Sequence, residues 1–379
     1  MMTQRSKSEL VESIQPRYGK AKKAEKQKRL DEFTAATGFH RKYALRLLKH
    51  GHRLRRGKPK GRKAIYRGEV VLALEPVWEV YGRICSKRRH PYLPEGLKVL
   101  ERCGEIQFSA ETKQLLLRMS SATMDRCLRP VRVKSAHGLS TTKPGSLLKQ
   151  AISVQTFTDW NEQQPGLVEI DLVAHCGETA EGQYLNTLTC TDLCTGWTEP
   201  VALQRHTQEA VRDARQAMRP DLPFPLLGID SDNGSEFIND LLYRYCLQNQ
   251  ITFTRSRPYQ KNDQAHVEQK NWSVVRHTVG YDRLPTEEEF AWLQSLYTDL
   301  RLSINFFQPV LKLIAKEHIG KQLVRKYDQA RTPYQRILER KEIALDRKAH
   351  LTHLYVQLNP VALRTSIDQK VARLWKISK

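Results

Sequence analysis

PLLGIDSDNGSEF, residues 225–237, reads as a short apolar strand that ends on acid and turns at once into a helix. Period-two alternation along PLLGIDSD puts Asp230 and Asp232 on one strand face. Gly234 allows the tight turn, and Ser235–Leu247 continues as an amphipathic helix. Asp232 therefore sits where a strand stops, and Asn233 beside it is placed to orient water or a phosphate.

Outward from that turn the chain alternates strands and helices. GLVEIDLVAH (166–175), YLNTLTCTDLCTGW (184–197) and TEPVAL (198–203) read as three strands of an antiparallel meander. Thr207–Met218 reads as a helix before the strand that carries Asp232. ITFTRSRP (251–258) is a fifth strand, and residues from about Asp263 to His277 form a further helix. Three strands, then helix, strand, helix, strand, helix is the order of the ribonuclease-H-like fold: a five-stranded mixed sheet with flanking helices.

Three acidic residues stand out in this frame. Asp171 lies late in an apolar strand among Val168, Ile170 and Leu172, where an unpaired carboxylate is expensive to bury. Asp232 closes the fourth strand, and Glu268 sits on the helix after the fifth, with 35 residues between these two. Phosphoryl transfer on DNA uses two divalent ions about 4 Å apart. Three convergent carboxylates are enough to hold two Mg²⁺ or Mn²⁺ ions, which take hard oxygen ligands and keep several waters. Asp171 is expected to bridge the ions, with Asp232 on one and Glu268 on the other. Asp230 competes with Asp232 for this role, and the spacing and the following Asn-Gly favour Asp232.

SDNGSEF (231–237), RSRPYQKNDQAHVEQKN (255–271) and the 35-residue spacing together resemble the retroviral-integrase-type DDE core, most closely that of bacterial insertion-sequence transposases. The resemblance covers about residues 155–300 and implies Asp171, Asp232 and Glu268 as the metal triad. NFFQP (305–309) and RTPYQR (331–336) are similar to segments of such transposases as well. Where such cores often carry Pro-Gln-Ser-x-Gly before the Glu, this chain has Gln260-Lys261-Asn262-Asp263-Gln264-Ala265, and the missing Gly is expected to stiffen that loop. Cys85, Cys103 and Cys127 are too dispersed for a His/His/Cys/Cys zinc module, which favours the bacterial assignment over the retroviral one.

The flanks point to DNA. Residues 1–150 hold 35 Lys/Arg against 13 Asp/Glu, residues 151–300 hold 11 against 22, and residues 301–379 hold 17 against 6. Two basic arms around an acidic middle suit a protein that grips phosphate backbones about a metal centre. Residues 1–22 are expected to be a disordered basic segment, and 23–50 a helix-turn-helix with Gly38 in its turn. Arg41, Lys42, Arg46 and Lys49 are its expected DNA-facing residues. Residues 51–67 are a basic linker in which Arg53, Arg55 and Arg56 lie along DNA. A second helical DNA-binding region is expected over 68–132, with Ser120 or Ser121 capping its last helix, and a linker over 133–153. The core spans 154–300, and a basic, mostly helical tail spans 301–379, with a hairpin about Gly320 and a last helix opened by Asn359-Pro360. Within the core, Arg255, Arg257, Lys261, Lys270 and Arg276 surround the Glu and are expected to hold the DNA backbone.

Other chemistries find little support. Cys190 and Cys194 lack a matching Cys/His pair, His175 reads as a strand-end residue, and Trp197 and Trp272 read as packing residues. No Walker or dinucleotide loop appears, so no nucleotide cofactor is expected. Seven cysteines without paired spacing, no signal peptide and no membrane-length apolar run point to a cytoplasmic, nucleoid-associated protein. The function expected is DNA transposition by 3′-end cleavage and strand transfer, on transposon ends and target DNA, by at least a dimer. The alternative is a DNA-binding regulator with an inert core.

Overall fold

A computed structural model describes residues 2–50, 65–132, 164–205, 207–231, 240–255, 265–319 and 322–378. The chain divides into two compact units, Met1–Ile65 and Tyr66–Lys379. The helical region, the sheet and the tail expected as separate domains thus share the second unit, and residues 133–163 lie outside the described residues.

The first unit holds α1 (Gln4–Lys20), α2 (Lys23–Thr37) and α3 (Arg41–His50). The segment expected to be disordered is therefore mostly helix. Val11 and Tyr18 on α1 are buried with Leu30 and Phe33 of α2 and Ala44, Leu47 and Leu48 of α3. Those few apolar positions fall at helical spacing on one face, which the polar average of the segment conceals. Gly38 ends α2 in the left-handed region at φ 69°, and its amide bonds to the Thr34 carbonyl at 2.9 Å.

The second unit opens with four helices, α4 (Glu69–Val80), α5 (Ser86–Arg102), α6 (Ala110–Arg118) and α7 (Ser121–Arg132). The Ser120 hydroxyl accepts from the Thr123 amide and caps α7. Strands β1 (Leu167–Ala174), β2 (Asn186–Asp192) and β3 (Thr198–Leu203) follow, then α8 (Gln208–Met218), β4 (Gly228–Ser231), α9 (Asp240–Gln248) and β5 (Thr252–Arg255). The sheet order is β3-β2-β1-β4-β5. The first three strands pair antiparallel, and β4 and β5 add in parallel beside β1. This is the ribonuclease-H-like sheet, with β1 at its centre. Val168, Ile170 and Ile229 pack under α8 and α9 against Val211, Met218 and Leu242. The alternate residues of β1 face the opposite side, where Glu169 and Asp171 lie.

A helical run on that opposite side starts with α10 (Ala265–Lys270), widens into a π-helix over Asn271–Arg276 and ends as α11 (His277–Val279). Then comes α12 (Glu287–Phe307), a 21-residue helix that crosses the boundary expected at residue 300. Thr286 and Glu289 form a reciprocal capping box at its start. At its far end the Asn305 side chain bonds both to the Thr198 amide, at 2.9 Å, and to the Thr198 carbonyl, at 2.8 Å. Arg301 reaches the buried Glu199 of β3 through Nε at 2.5 Å and Nη2 at 2.9 Å. The tail adds an antiparallel pair, β6 (Leu313–Ile319) and β7 (Gln322–Tyr327), then α13 (Pro333–Glu339), α14 (Leu345–Gln357) and α15 (Pro360–Ile377). Gly320, the expected hairpin turn, lies outside the described residues, though Ile319 pairs with Gln322 around it. Asn359 caps α15 through the amides of Val361 and Ala362. Among the described residues no helix is long and apolar enough to cross a membrane.

Candidate active site

Asp171 projects from the centre of the sheet, half-buried, opposite Thr189 of β2. Its Oδ1 accepts from the Leu172 amide at 2.8 Å, and its Oδ2 accepts from the Asn271 side-chain amide at 2.6 Å. Asn271 stands three residues after Glu268 on the same helical run, so one contact ties the strand of Asp171 to the helix of Glu268. Glu268 itself is exposed on α10. The widened turn that begins at Asn271 is a feature that recurs at functional sites.

A second contact works in the same direction. Glu169 precedes Asp171 by two residues on the same face of β1 and is 2% exposed. Its Oε2 accepts from the Val267 amide at 2.8 Å, at the first turn of α10. In the neighbouring strand Asp230 stands opposite Glu169 and accepts from the Thr254 hydroxyl at 2.6 Å. Glu169, Asp230 and Thr254 thus form a row across three strands. Asp230, the competitor for the metal role, is buried within this row. Asp232, Asn233, Gly234, Arg257 and Lys261 lie outside the described residues. Among the described residues no three acidic, imidazole or thiol groups gather as a metal site.

The donors present fit a hard divalent cation. Asp171 and Glu268 both offer carboxylate oxygens within reach of solvent, and such oxygens are the ligands Mg²⁺ and Mn²⁺ prefer. The side-chain oxygens of Asn271 and of Thr189, the strand partner of Asp171, are both buried without a hydrogen-bond partner. Orphaned buried oxygens around a carboxylate mark a place where a donor or cation belongs.

The basic residues sort unevenly. Arg41, Lys42, Arg46 and Lys49 are all exposed on α3; Arg41 pairs with Asp31, and Arg46 lies 5.1 Å from the Tyr43 ring. Arg53, Arg55 and Arg56 lie outside the described residues. Arg255 is only 7% exposed and Lys270 only 8%, so neither stands out on the surface as a solvated cation would. Burial, with the positive Arg88 as a smaller cause, pulls the Lys270 ammonium down to about 7. Burial also lowers His266 to about 4, with Lys312 and Lys270 adding to the shift. Arg276 donates to the Ala174 carbonyl at 2.8 Å and so ties the end of β1 to the π-helix.

His175 is fully buried, its Nε2 2.7 Å from the Thr187 hydroxyl, and burial followed by Arg276 lowers it to about 3. It is a neutral packing residue. Trp197 is in the core, against Phe306 at 5.7 Å, whereas Trp272 is 62% exposed on the Glu268 helix, so of the core or protein–protein packing expected for it the core role falls away. All seven cysteines carry free thiols, and burial raises Cys194 to about 11 and Cys190 further. Glu169 and Asn271 were not singled out from the sequence. The signals were a second acid inside an apolar strand and an amide one helical turn beyond Glu268.

Residues 161–261 match the family model of the integrase core domain, a stretch that holds Asp171 and Asp232 and stops short of Glu268. The catalytic core of HTLV-2 integrase, solved as a dimeric form in complex with magnesium, covers 38% of this chain and 90% of its own, at 14% identity and a TM-score of 0.28. The uncharacterized protein y4rM of Sinorhizobium fredii is 43% identical over 326 residues, 85% of this chain and 92% of that protein. The chain belongs to the family of that rhizobial protein, and its sheet is an integrase-type core of the ribonuclease-H-like fold.

Proposed function

We propose that the chain is the DNA transposase of an insertion sequence, a polynucleotidyl transferase with Asp171, Asp232 and Glu268 as its metal-binding triad. The observation that carries this is the pair of contacts, Asn271 to Asp171 and Val267 to Glu169, that seat the Glu268 helix on the central strand. A regulator with an inert core has no need of a clamp that ties the strand of Asp171 to the helix of Glu268. The integrase core match supports the reaction class.

In the first step a water oxygen bonds to phosphorus at the transposon end while the bond from phosphorus to O3′ breaks. The water gives up its proton to solvent, and the departing O3′ takes one up. In the second step that 3′-hydroxyl gives its proton to solvent and bonds to a target phosphorus, while the bond to the target's own O3′ breaks and that oxygen takes up a proton. Two Mg²⁺ or Mn²⁺ ions, when bound, activate the attacking oxygen and stabilise the leaving one. The chain's part is to hold Asp171 rigid on the sheet and Glu268 beside it, with His175 too buried and too weakly basic to serve as a base. Arg41, Lys42, Arg46 and Lys49 contact the transposon end, helped by Arg53, Arg55 and Arg56 of the linker. Arg257 and Lys261 are assigned to the backbone near the cut, and Arg255 and Lys270 to supporting it from beneath. Joining two ends to one target calls for at least a dimer, acting in the cytoplasm at the nucleoid.

The test is joining. Wild-type protein incubated with a labelled end duplex, a plasmid and Mg²⁺ transfers label into plasmid DNA. End binding with no joined product in Mg²⁺ or Mn²⁺ would establish the regulator instead.

A further inference from the structure

We infer that Glu169 is a positioning residue: its buried carboxylate, bonded to the Val267 amide, sets where Glu268 stands relative to Asp171, and so sets metal affinity without ligating metal. The inference rests on the metal triad proposed above. Glu169 sits two residues from Asp171 on the same strand face and is 2% exposed. Its Oε2 is 2.8 Å from the amide of Val267, the residue immediately before Glu268, and Val267 is itself fully buried. A carboxylate accepting an amide at a helix's first turn forms a charge-assisted bond, aided by the helix dipole. Sequence separation matters here: residues 98 apart are joined, so the contact fixes the docking of a helix and not a local turn. Together with Asn271 on Asp171, one turn further on, it brackets Glu268 from both sides. Neither bond is made by the Glu268 carboxylate itself; both act on its neighbours in the chain.

Two conservative variants separate position from charge. Glu169→Gln keeps the chain length and an acceptor oxygen but removes the charge. Glu169→Asp keeps the charge but withdraws it by one methylene, too short to hold the Val267 amide. A positioning role predicts that Gln outperforms Asp; a ligand role predicts the reverse.

The metal-free protein is read first, by hydrogen–deuterium exchange over residues 265–271. Glu169→Asp should exchange about tenfold faster there, with thermal unfolding used to confirm an intact fold, and Glu169→Gln should stay within about threefold of wild type. Mn²⁺ titrations, by binding and by single-turnover cleavage of an end duplex, should then show Asp needing about 10–100 times more metal while Gln restores the wild-type requirement. Gln as inactive as Glu268→Gln overturns the inference, since Glu169 would then be a ligand. So does faster exchange in Asp with an unchanged metal requirement, because the contact would then be structural only. If Asp fails to fold, Gln decides alone: a wild-type metal requirement with wild-type exchange upholds the inference. Full activity in Glu268→Gln would instead remove the metal triad and leave the exchange result standing.

Discussion

Replacing Arg301 by Met should strand a charge inside the second unit. Glu199 is 2% exposed on β3 and receives Arg301 Nε at 2.5 Å, Nη2 at 2.9 Å and Trp197 Nε1 at 2.7 Å. Met keeps most of the apolar stem of Arg301 in place, so the loss isolates the guanidinium. Removing one partner of a buried ion pair costs about 3–5 kcal/mol, because the other charge stays desolvated. For a body of this size that corresponds to roughly 5–8 °C in apparent Tm. Burial already raises the Glu199 carboxyl from its ordinary value of 4.5, and Arg301 opposes that rise. Without Arg301 the folded-state pKa climbs further. A raised folded pKa gives stability that is fully present below the unfolded value and is lost as pH rises through the folded one. The deficit against wild type should therefore be largest near pH 8 and shrink toward pH 5, where the carboxyl takes up a proton. Urea or thermal unfolding of both proteins across that range measures it. A deficit below about 1 kcal/mol, or one independent of pH, would refute the claim that the pair holds α12 to β3.

Asn271→Ala removes the amide donor from Asp171 and should lower single-turnover cleavage about 10–100-fold while end binding, followed by gel shift, holds. Lys49→Ala on α3 should weaken DNA binding similarly for all sequences and reduce the slope of log K against log salt by about one, read from fluorescence anisotropy. Gly38→Ala meets nothing within 4 Å, so only its φ of +69° counts against it. The first unit should lose about 1 kcal/mol in denaturant unfolding.

The apolar patterns of β1 and β2, the short apolar β4 and the order of the core helices were legible because each is a local signal. The missed elements failed for identifiable reasons. α1 carries its few apolar residues on one face of an otherwise charged segment, so its average hides its amphipathicity. α12 announced itself by Thr286 and Glu289, a capping box that went unread beneath the expectation of a domain end near residue 300. The union of helices, sheet and tail in one unit comes from pairings such as Arg102 with the Leu358 carbonyl, which no local pattern encodes. The same holds at the site. The proposed roles of Asp171 and Glu268 rest on strand position and spacing, whereas Glu169 and Asn271 enter only through contacts with residues 98 and 100 positions away. Lys270 looked like a surface cation among charged neighbours and proved buried, because α10 turns that side inward with Val267.

The central claim is that Glu268 completes a metal-dependent nuclease site with Asp171, and single-turnover cleavage tests it most directly. A labelled transposon-end duplex is incubated with wild type or Glu268→Gln in Mg²⁺ or Mn²⁺, and end binding is measured on the same samples. Wild type should nick at the 3′ end, and the variant should lose at least about 10³-fold in cleavage with binding unchanged. Equal cleavage by the two proteins would contradict it.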